Sequence, residues 1–307
     1  MEISIFADER KNIANRWHYI CLLIIPTPKI DEVINIIQNK RDAVGYQNEI
    51  KFGNLPKKGK GERVALGSEL LKEIISDGKT NGGKFYFKIL GIDKKNLQFN
   101  RFGDDDGEKG KYATIYNRFF RMTLLGSINY FFRSRTDNLT ISYLVHDSEG
   151  NLENHEYFDW HSIWKLDSEY ENISFANDEI IFVNSDHHEE TSHPRFSHLV
   201  QLTDLILGAV SFCIEYSNPG NKGQKQCANV MLPLVDRIIS APKNQNSSFG
   251  YYRKYDIDFF PSTTKLGISG EVLQGQIYKN REVVLKTRNS KQISFFEKLK
   301  ELTKPTT

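Results

Sequence analysis

Cysteine is scarce in this 307-residue chain, which has only Cys21, Cys213 and Cys227. They have no metal-ligand spacing, and two sit in apolar stretches, so they point to reduced core thiols of a cytoplasmic protein rather than to a disulfide framework. Long apolar runs are also lacking. The longest uninterrupted one, residues 19–25, falls far short of the ~20 residues that a spanning helix needs, so no membrane role is expected. No N-terminal signal pattern occurs, because the chain opens on an alternating run that already carries Glu2 and Asp8. Gly59-Lys60-Gly61 lacks the spacing of a phosphate-binding loop, and there is no Gly-x-Ser-x-Gly elbow. Asp104-Asp105-Asp106-Gly107-Glu108 has the composition of a calcium loop but not its alternating ligands.

What is present suits a globular fold. Hydrophobic residues make up 39%, aromatic residues 12% and charged residues 26%, which excludes disorder as a description of the whole chain. The length fits one large domain or two small ones, with a core that needs no disulfides. The net charge of +2 hides an asymmetry. Residues 217–307 hold 15 Lys+Arg against 7 Asp+Glu, and residues 1–216 hold 26 against 32. An acidic body with a basic tail is compatible with carboxylates at a site and cations for a polyanion, and equally with two solvated surfaces.

Residues 2–8 alternate as a strand, and residues 17–25 form a second, nearly continuous apolar strand ended by Pro26 and Pro28. Ile30, Val33, Ile34 and Ile37 recur at helical spacing. Further helices are predicted over 62–76, 112–133 and 196–216, and strands over 84–90, 139–147 and 179–184. Residues 102–111 are expected to be a loop. Strands in hairpin order followed by strands alternating with helices predict an α/β domain with a mixed sheet over residues 1–216. Residues 217–307 are expected to be a basic extension, packed on that domain or forming a small α+β module. One helix is predicted in it near 230–239, and a hairpin over 270–286.

The acids carry the chemical signal. Asp8 is expected at the C-terminal end of the first strand, followed at once by Glu9. Asp147 ends the fourth strand and has the parity of Leu139, Ile141, Tyr143 and Val145, so its carboxylate is expected on their apolar face. Ligand crevices in open α/β sheets lie off the carboxyl ends of strands, although a turn role is the ordinary reading of an aspartate after a strand. Asp204 lies in the run 196–210, apolar on nearly all sides. Ser197, Gln201, Asp204, Gly208 and Ser211 form one narrow stripe along it. A carboxylate there needs a cation, a shared carboxylate site or a distant basic partner. Glu49 and Lys51 point one way, with Ile50 and Phe52 opposite, which is also the pattern of a surface ion pair.

Phe6-Ala7-Asp8-Glu9, Glu49-Ile50-Lys51-Phe52, Val145-His146-Asp147, and Phe182-Val183-Asn184-Ser185 running on to Leu199-Val200-Gln201-Leu202-Thr203-Asp204-Leu205 together resemble a bacterial family. It is the family catalogued as domain of unknown function 3800, in the ribonuclease-H-like superfamily, and the resemblance covers about residues 1–216. It implies a mixed five-stranded sheet flanked by helices, with strand one beside strand four and a cluster of acids binding two divalent ions. By position, Asp8, Glu49, Asp147 and Asp204 would be the catalytic and metal-binding acids. The family usually continues after Asp-Glu with a small hydroxyl residue and glycine, where Arg10 and Lys11 stand here.

The expectation is therefore a nuclease that hydrolyses DNA or RNA with two Mg²⁺ or Mn²⁺ ions, which need oxygen ligands and no Cys or His. Glu9 and Asp186 would be supporting acids, Lys51 would orient a phosphate or an acid, and Ser185 and Gln201 would support by hydrogen bonds. Lys57, Lys58, Lys60, Arg63, Arg253 and Lys254 are candidates to grip a nucleic-acid backbone. His146 is expected in the core. Asp186-His187-His188-Glu189-Glu190 with His193 reads as a solvated loop, as histidines beside the acids, or as zinc ligands. A non-catalytic nucleic-acid- or protein-binding module and a small phosphoester hydrolase are the alternatives. A homo-oligomer or a protein partner is compatible with all three.

Overall fold

A computed structural model describes residues 1–10, 17–80, 83–94, 97, 107–132, 138–148, 161–215, 220–240 and 250–260. The hairpin expected over 270–286 and the acidic run 104–106 lie outside these residues. Among the described residues, seven strands form one mixed sheet. They are β1 (Glu2–Arg10), β2 (Trp17–Pro26), β3 (Tyr86–Asp93), β4 (Leu139–Asp147), β5 (Ile173–Phe175), β6 (Ile180–Val183) and β7 (Tyr255–Phe260). The order is β5-β4-β1-β2-β3-β7, and β6 also pairs with β4.

The architecture is α/β with a mixed sheet, but with seven strands rather than five. β1 and β3 flank β2 antiparallel, whereas β1–β4, β4–β5, β4–β6 and β3–β7 are parallel. β5 pairs with the first half of β4 and β6 with the second, so the two act as one interrupted strand on that edge. The remaining addition, β7, comes from the basic part of the chain and extends the sheet beyond β3.

Six helices are described: α1 (Ile30–Val44), α2 (Glu62–Gly78), α3 (Gly107–Phe132), α4 (His161–Glu169), α5 (Pro194–Glu215) and α6 (Lys222–Ser240). The loop expected to run to residue 111 is already helical from Gly107. α5 lies on the sheet over β1, β2 and β4, and α1, α2 and α6 pack around it. α3 covers the other face at β2 and β3, beside α4. By length and composition α5 is apolar enough to cross a membrane, yet 89% of its apolar window is buried in the fold, as in a central core helix. α6 packs against α2 and α5, so residues 220–240 share the core of the preceding elements. All three cysteines are free and buried, as expected.

One irregularity decides which face Asp147 occupies. The parallel pairing of β1 and β4 runs Ile3↔Ile141 and then Ser4↔Tyr143, so β4 carries an extra residue, Ser142. A bulge of one residue reverses the parity of everything after it. Leu139 and Ile141 therefore pack in the α3 layer, and Val145, with Tyr143 against it, packs in the α5 layer. The expectation of one face from Leu139 to Asp147 is corrected: Asp147 shares its face with Tyr143 and Val145 only. The bulge is anchored, because Thr27 Oγ1 donates to Ser142 Oγ (3.1 Å) and Asn177 Nδ2 to the Ser142 carbonyl (3.1 Å).

Candidate functional site

Asp8 and Asp147 come together through strand register. Ala7 pairs with His146, so the next residue on each strand is an aspartate, and the two project to the same face. Phe6 and Val145 precede them by two residues and are fully buried in the α5 layer. β1 does not stop at Asp8 but continues to Arg10, antiparallel to β2, with Asp8 opposite Cys21. Asp8 and Asp147 are each only 8% exposed.

α5 brings the third carboxylate. Burial holds Asp8 well above the usual carboxylate range, and repulsion from Asp204 and then Asp147 adds to the shift. The Glu9 backbone N–H, which donates to Asp8 Oδ1 at 2.7 Å, offsets part of it. Burial, Asp8 and Asp204 also push the Cys21 thiol up. A buried aspartate between two others favours its neutral form until positive charge arrives. Asp204 Oδ2 itself accepts the Phe52 backbone N–H at 2.5 Å.

Every residue of the α5 stripe has a defined task. Ser197 Oγ donates to the Asn184 carbonyl at 2.6 Å. Gln201 is 1% exposed, and its Oε1 accepts from Arg41 Nη2 (2.6 Å) and Ile50 N (3.1 Å), while its Nε2 donates to the Ser185 carbonyl (2.5 Å). Gly208 lets Phe52 approach, since a Cβ there would lie 2.2 Å from Phe52 Cγ. Ser211 Oγ accepts from Arg10 Nη1 at 2.7 Å, and the same guanidinium stands 5.8 Å from the Phe52 ring centroid. Arg10 thus reaches from the strand that carries Asp8 to the helix that carries Asp204.

Glu49 sits beside this cluster in a separate network. Its Oε1 accepts from Ser185 Oγ at 2.7 Å and lies 3.4 Å from Lys51 Nζ. The alternation expected over 49–52 holds: Ile50 and Phe52 are buried, while Glu49 and Lys51 are partly exposed. The carboxylates whose charge raises Asp8 are Asp204, Asp147 and Glu9. Glu9 has the parity of Ile5 and Ala7, which line the α3 layer, and it is its backbone N–H that bonds Asp8. Asp186 is a turn residue whose Oδ1 accepts the His188 N–H at 3.0 Å.

Sequence reasoning missed Arg41. It is fully buried and holds the 46–50 turn by donating to the Asn48 carbonyl (2.8 Å) as well as to Gln201. A signal existed, because Arg41 continues the apolar face Ile30, Val33 and Ile37 at helical spacing. The ring centroids of His187 and His198 lie 4.4 Å apart beside this guanidinium. Burial, His187 and Arg41 lower the His198 pKa to about 3. His146 is buried in the opposite layer, 2.6 Å from the Tyr116 hydroxyl, as a core histidine.

The candidate phosphate-gripping residues separate into four groups. Lys57, Lys58 and Lys60 are exposed on a loop. Arg63 is engaged in the fold, donating to the Tyr46 hydroxyl (2.7 Å) and the Asn54 carbonyl (2.9 Å). Lys254 is a correction: it is 4% exposed and bonds the Asp77 carbonyl at 2.6 Å and Asp77 Oδ2 at 3.2 Å, so it is internal. Arg253 lies near Gly78, at the end of α2 away from the lysine loop, about 24 Å along the helix.

Among the described residues, no group of three or more His, Cys, Asp or Glu side chains is placed to hold a metal ion as it stands. The donor chemistry nevertheless fits a hard divalent cation, because the three aspartates offer only oxygen and their mutual repulsion calls for positive charge. Comparison with known protein families, curated proteins and solved structures finds no match.

Proposed function

We propose that this chain is a metal-dependent nuclease of the ribonuclease-H-like type, acting on the phosphodiester bonds of DNA or RNA. The observation that carries this reading is that carboxylates from different elements converge: the β1–β4 register sets Asp8 beside Asp147, and the charge of Asp204 on α5 reaches Asp8. The parallel pairing of β1 with β4 supports it, since the resemblance implies that pairing. Asp8, Asp147 and Asp204 would hold Mg²⁺ or Mn²⁺, with Glu49 on the flank. When bound, such ions activate a water and stabilise charge on the departing oxygen.

The chain's own residues prepare that chemistry. The Phe52 N–H fixes one oxygen of Asp204, and the Glu9 N–H fixes one oxygen of Asp8. Ser185 and Lys51 hold Glu49 at the rim. Gln201 fastens the segments that carry Glu49 and Ser185 to α5, so the flank cannot drift from the aspartates. Supporting partners of this kind decide the orientation of metal-binding carboxylates.

The test is cleavage of DNA, RNA and hybrid substrates with and without Mg²⁺ or Mn²⁺. Asp147→Asn is expected to abolish cleavage while the thermal unfolding profile remains cooperative. Undiminished cleavage by the purified variant would remove Asp147 from the site. A non-catalytic nucleic-acid-binding module is the second reading, motivated by Arg10, which stands where the resemblance leads one to expect a small hydroxyl residue and is tied to Ser211 on α5. It requires nucleic-acid binding that is indifferent to divalent ions. A small phosphoester hydrolase would show no gain in rate with strand length.

A further inference from the structure

The lysine loop is not an isolated surface feature, because it is built onto α6. The Lys222 N–H donates to the Lys57 carbonyl at 3.1 Å. Asn221 Nδ2 donates to the Leu55 carbonyl at 3.0 Å, and Gln224 Nε2 to the Phe52 carbonyl at 3.1 Å. Gly59 has φ +69°, and a Cβ on it would lie 2.7 Å from Lys222 Cβ, so the loop backbone rests directly on the helix. Lys57, Lys58, Lys60 and Lys222 are exposed on the combined surface.

The charge arrangement on α6 is unfavourable for the helix itself. Asn221 Oδ1 caps it by accepting the Gln224 N–H at 3.0 Å. Its first turn contains no acidic residue but carries Lys222 and Lys225. Helix N-termini are stabilised by negative charge and penalised by positive charge. A concentration of cations there, joined by three more from the loop, is compensated when an anion lies across it.

The surface is also continuous with the candidate site. The segment that meets it begins at Phe52, whose N–H binds Asp204. Lys57 lies five positions after Phe52, a span of at most about 17 Å. A nucleic-acid backbone is favoured over a lipid surface. Peripheral membrane binding uses apolar side chains beside the cations, whereas among the described residues the exposed large apolar side chain is Met122, on α3 in the opposite layer.

We infer that Lys57, Lys58, Lys60 and Lys222, with the first turn of α6, form a phosphate track that carries the strand flanking the carboxylate site. The inference rests on the nucleic-acid reading above and specifies the route of that ligand. Contacts of this type position the strand and carry no sequence information.

The test measures binding, not cleavage. Labelled single-stranded DNA and RNA oligonucleotides are titrated over a salt series with Asp147→Asn protein, so that the strands stay intact. Adding Lys58→Glu, Lys60→Glu and Lys222→Glu together is expected to weaken binding and to reduce the log–log salt slope by about 2, at ~0.7 per lost phosphate contact. Lys165→Glu, at an exposed position of α4 in the other layer, is expected to leave the slope unchanged. An unchanged slope in the triple variant overturns the track, as does an absence of oligonucleotide binding by the Asp147→Asn parent. Loss of binding to phosphatidylserine vesicles with oligonucleotide binding intact would overturn it in favour of a membrane surface. If the slope falls as expected but the native protein cleaves nothing, the track stands and the nuclease reading fails.

Discussion

Gly208 is where the packing of the site is most exposed to a single methyl group. Alanine in place of glycine inside a helix normally stabilises by about 1 kcal/mol. Here the new Cβ would lie 2.2 Å from Phe52 Cγ and 2.4 Å from its Cβ. Phe52 is 1% exposed, and Phe212 stands edge-on to its ring at 6.0 Å, so the ring has little room to turn away. Overpacking of this kind costs about 1–3 kcal/mol, and the severity of the overlap places Gly208→Ala at the upper end. The net expectation is a loss of about 2 kcal/mol, or about 4 °C in Tm at the lower sensitivity of long chains. The same displacement moves the Phe52 N–H from Asp204, so divalent-ion-dependent cleavage is expected to fall as well. Thermal unfolding of Gly208→Ala, Phe52→Leu and the double variant forms the assay. In the Phe52→Leu background the penalty of the alanine is expected to shrink, giving a coupling energy of at least ~1 kcal/mol. A Gly208→Ala protein as stable as its parent, or one with the same penalty in both backgrounds, would refute the reasoning.

Three other outcomes follow from the electrostatics. Asp8→Asn removes a carboxyl whose ionisation is opposed in the folded state by burial and by its acidic neighbours, so without divalent ions its Tm is expected to rise, on the scale of ~1–2 kcal/mol, while cleavage is lost; a lowered Tm would contradict the assignment. Lys254→Met leaves Asp77 buried without its cation and is expected to cost about 3–5 kcal/mol in denaturant unfolding, with Asp77→Asn in the same chain restoring part of it. The folded pKa of His198 is lowered to about 3, so its contribution to stability is present above the ordinary histidine range and is lost as pH falls from ~6.5 towards 3. His198→Phe is expected to flatten that acid limb of a Tm-against-pH curve, and an unchanged limb would count against it.

Several residues of the candidate site stood out in the sequence. Asp204 stood out because it interrupts a helix apolar on all other sides, and burial chemistry demands an explanation for such a charge. The stripe from Ser197 to Ser211 was visible for the same reason, and each member proves to anchor a neighbouring segment or admit one. Arg41 was less visible because a single arginine on an apolar helical face does not reveal its acceptors, which are carbonyls of a turn and a glutamine 160 residues away. The gripping role expected of Lys254 failed because a buried lysine and an exposed one look identical until the location of Asp77 is known.

By itself the sequence determined which segments alternate, which helix is central, and which residues carry charge into apolar surroundings, because periodicity and composition are local properties. Tertiary structure decided which of those charges meet. Strand register aligns Asp8 with Asp147, and the bulge at Ser142, an interruption that parity counting along the chain cannot detect, turns Asp147 towards α5 rather than α3. It also decided that the N-terminus of α6 lies under the lysine loop. Such long-range pairings depend on how separate faces fit together, and no single stretch of residues encodes that fit.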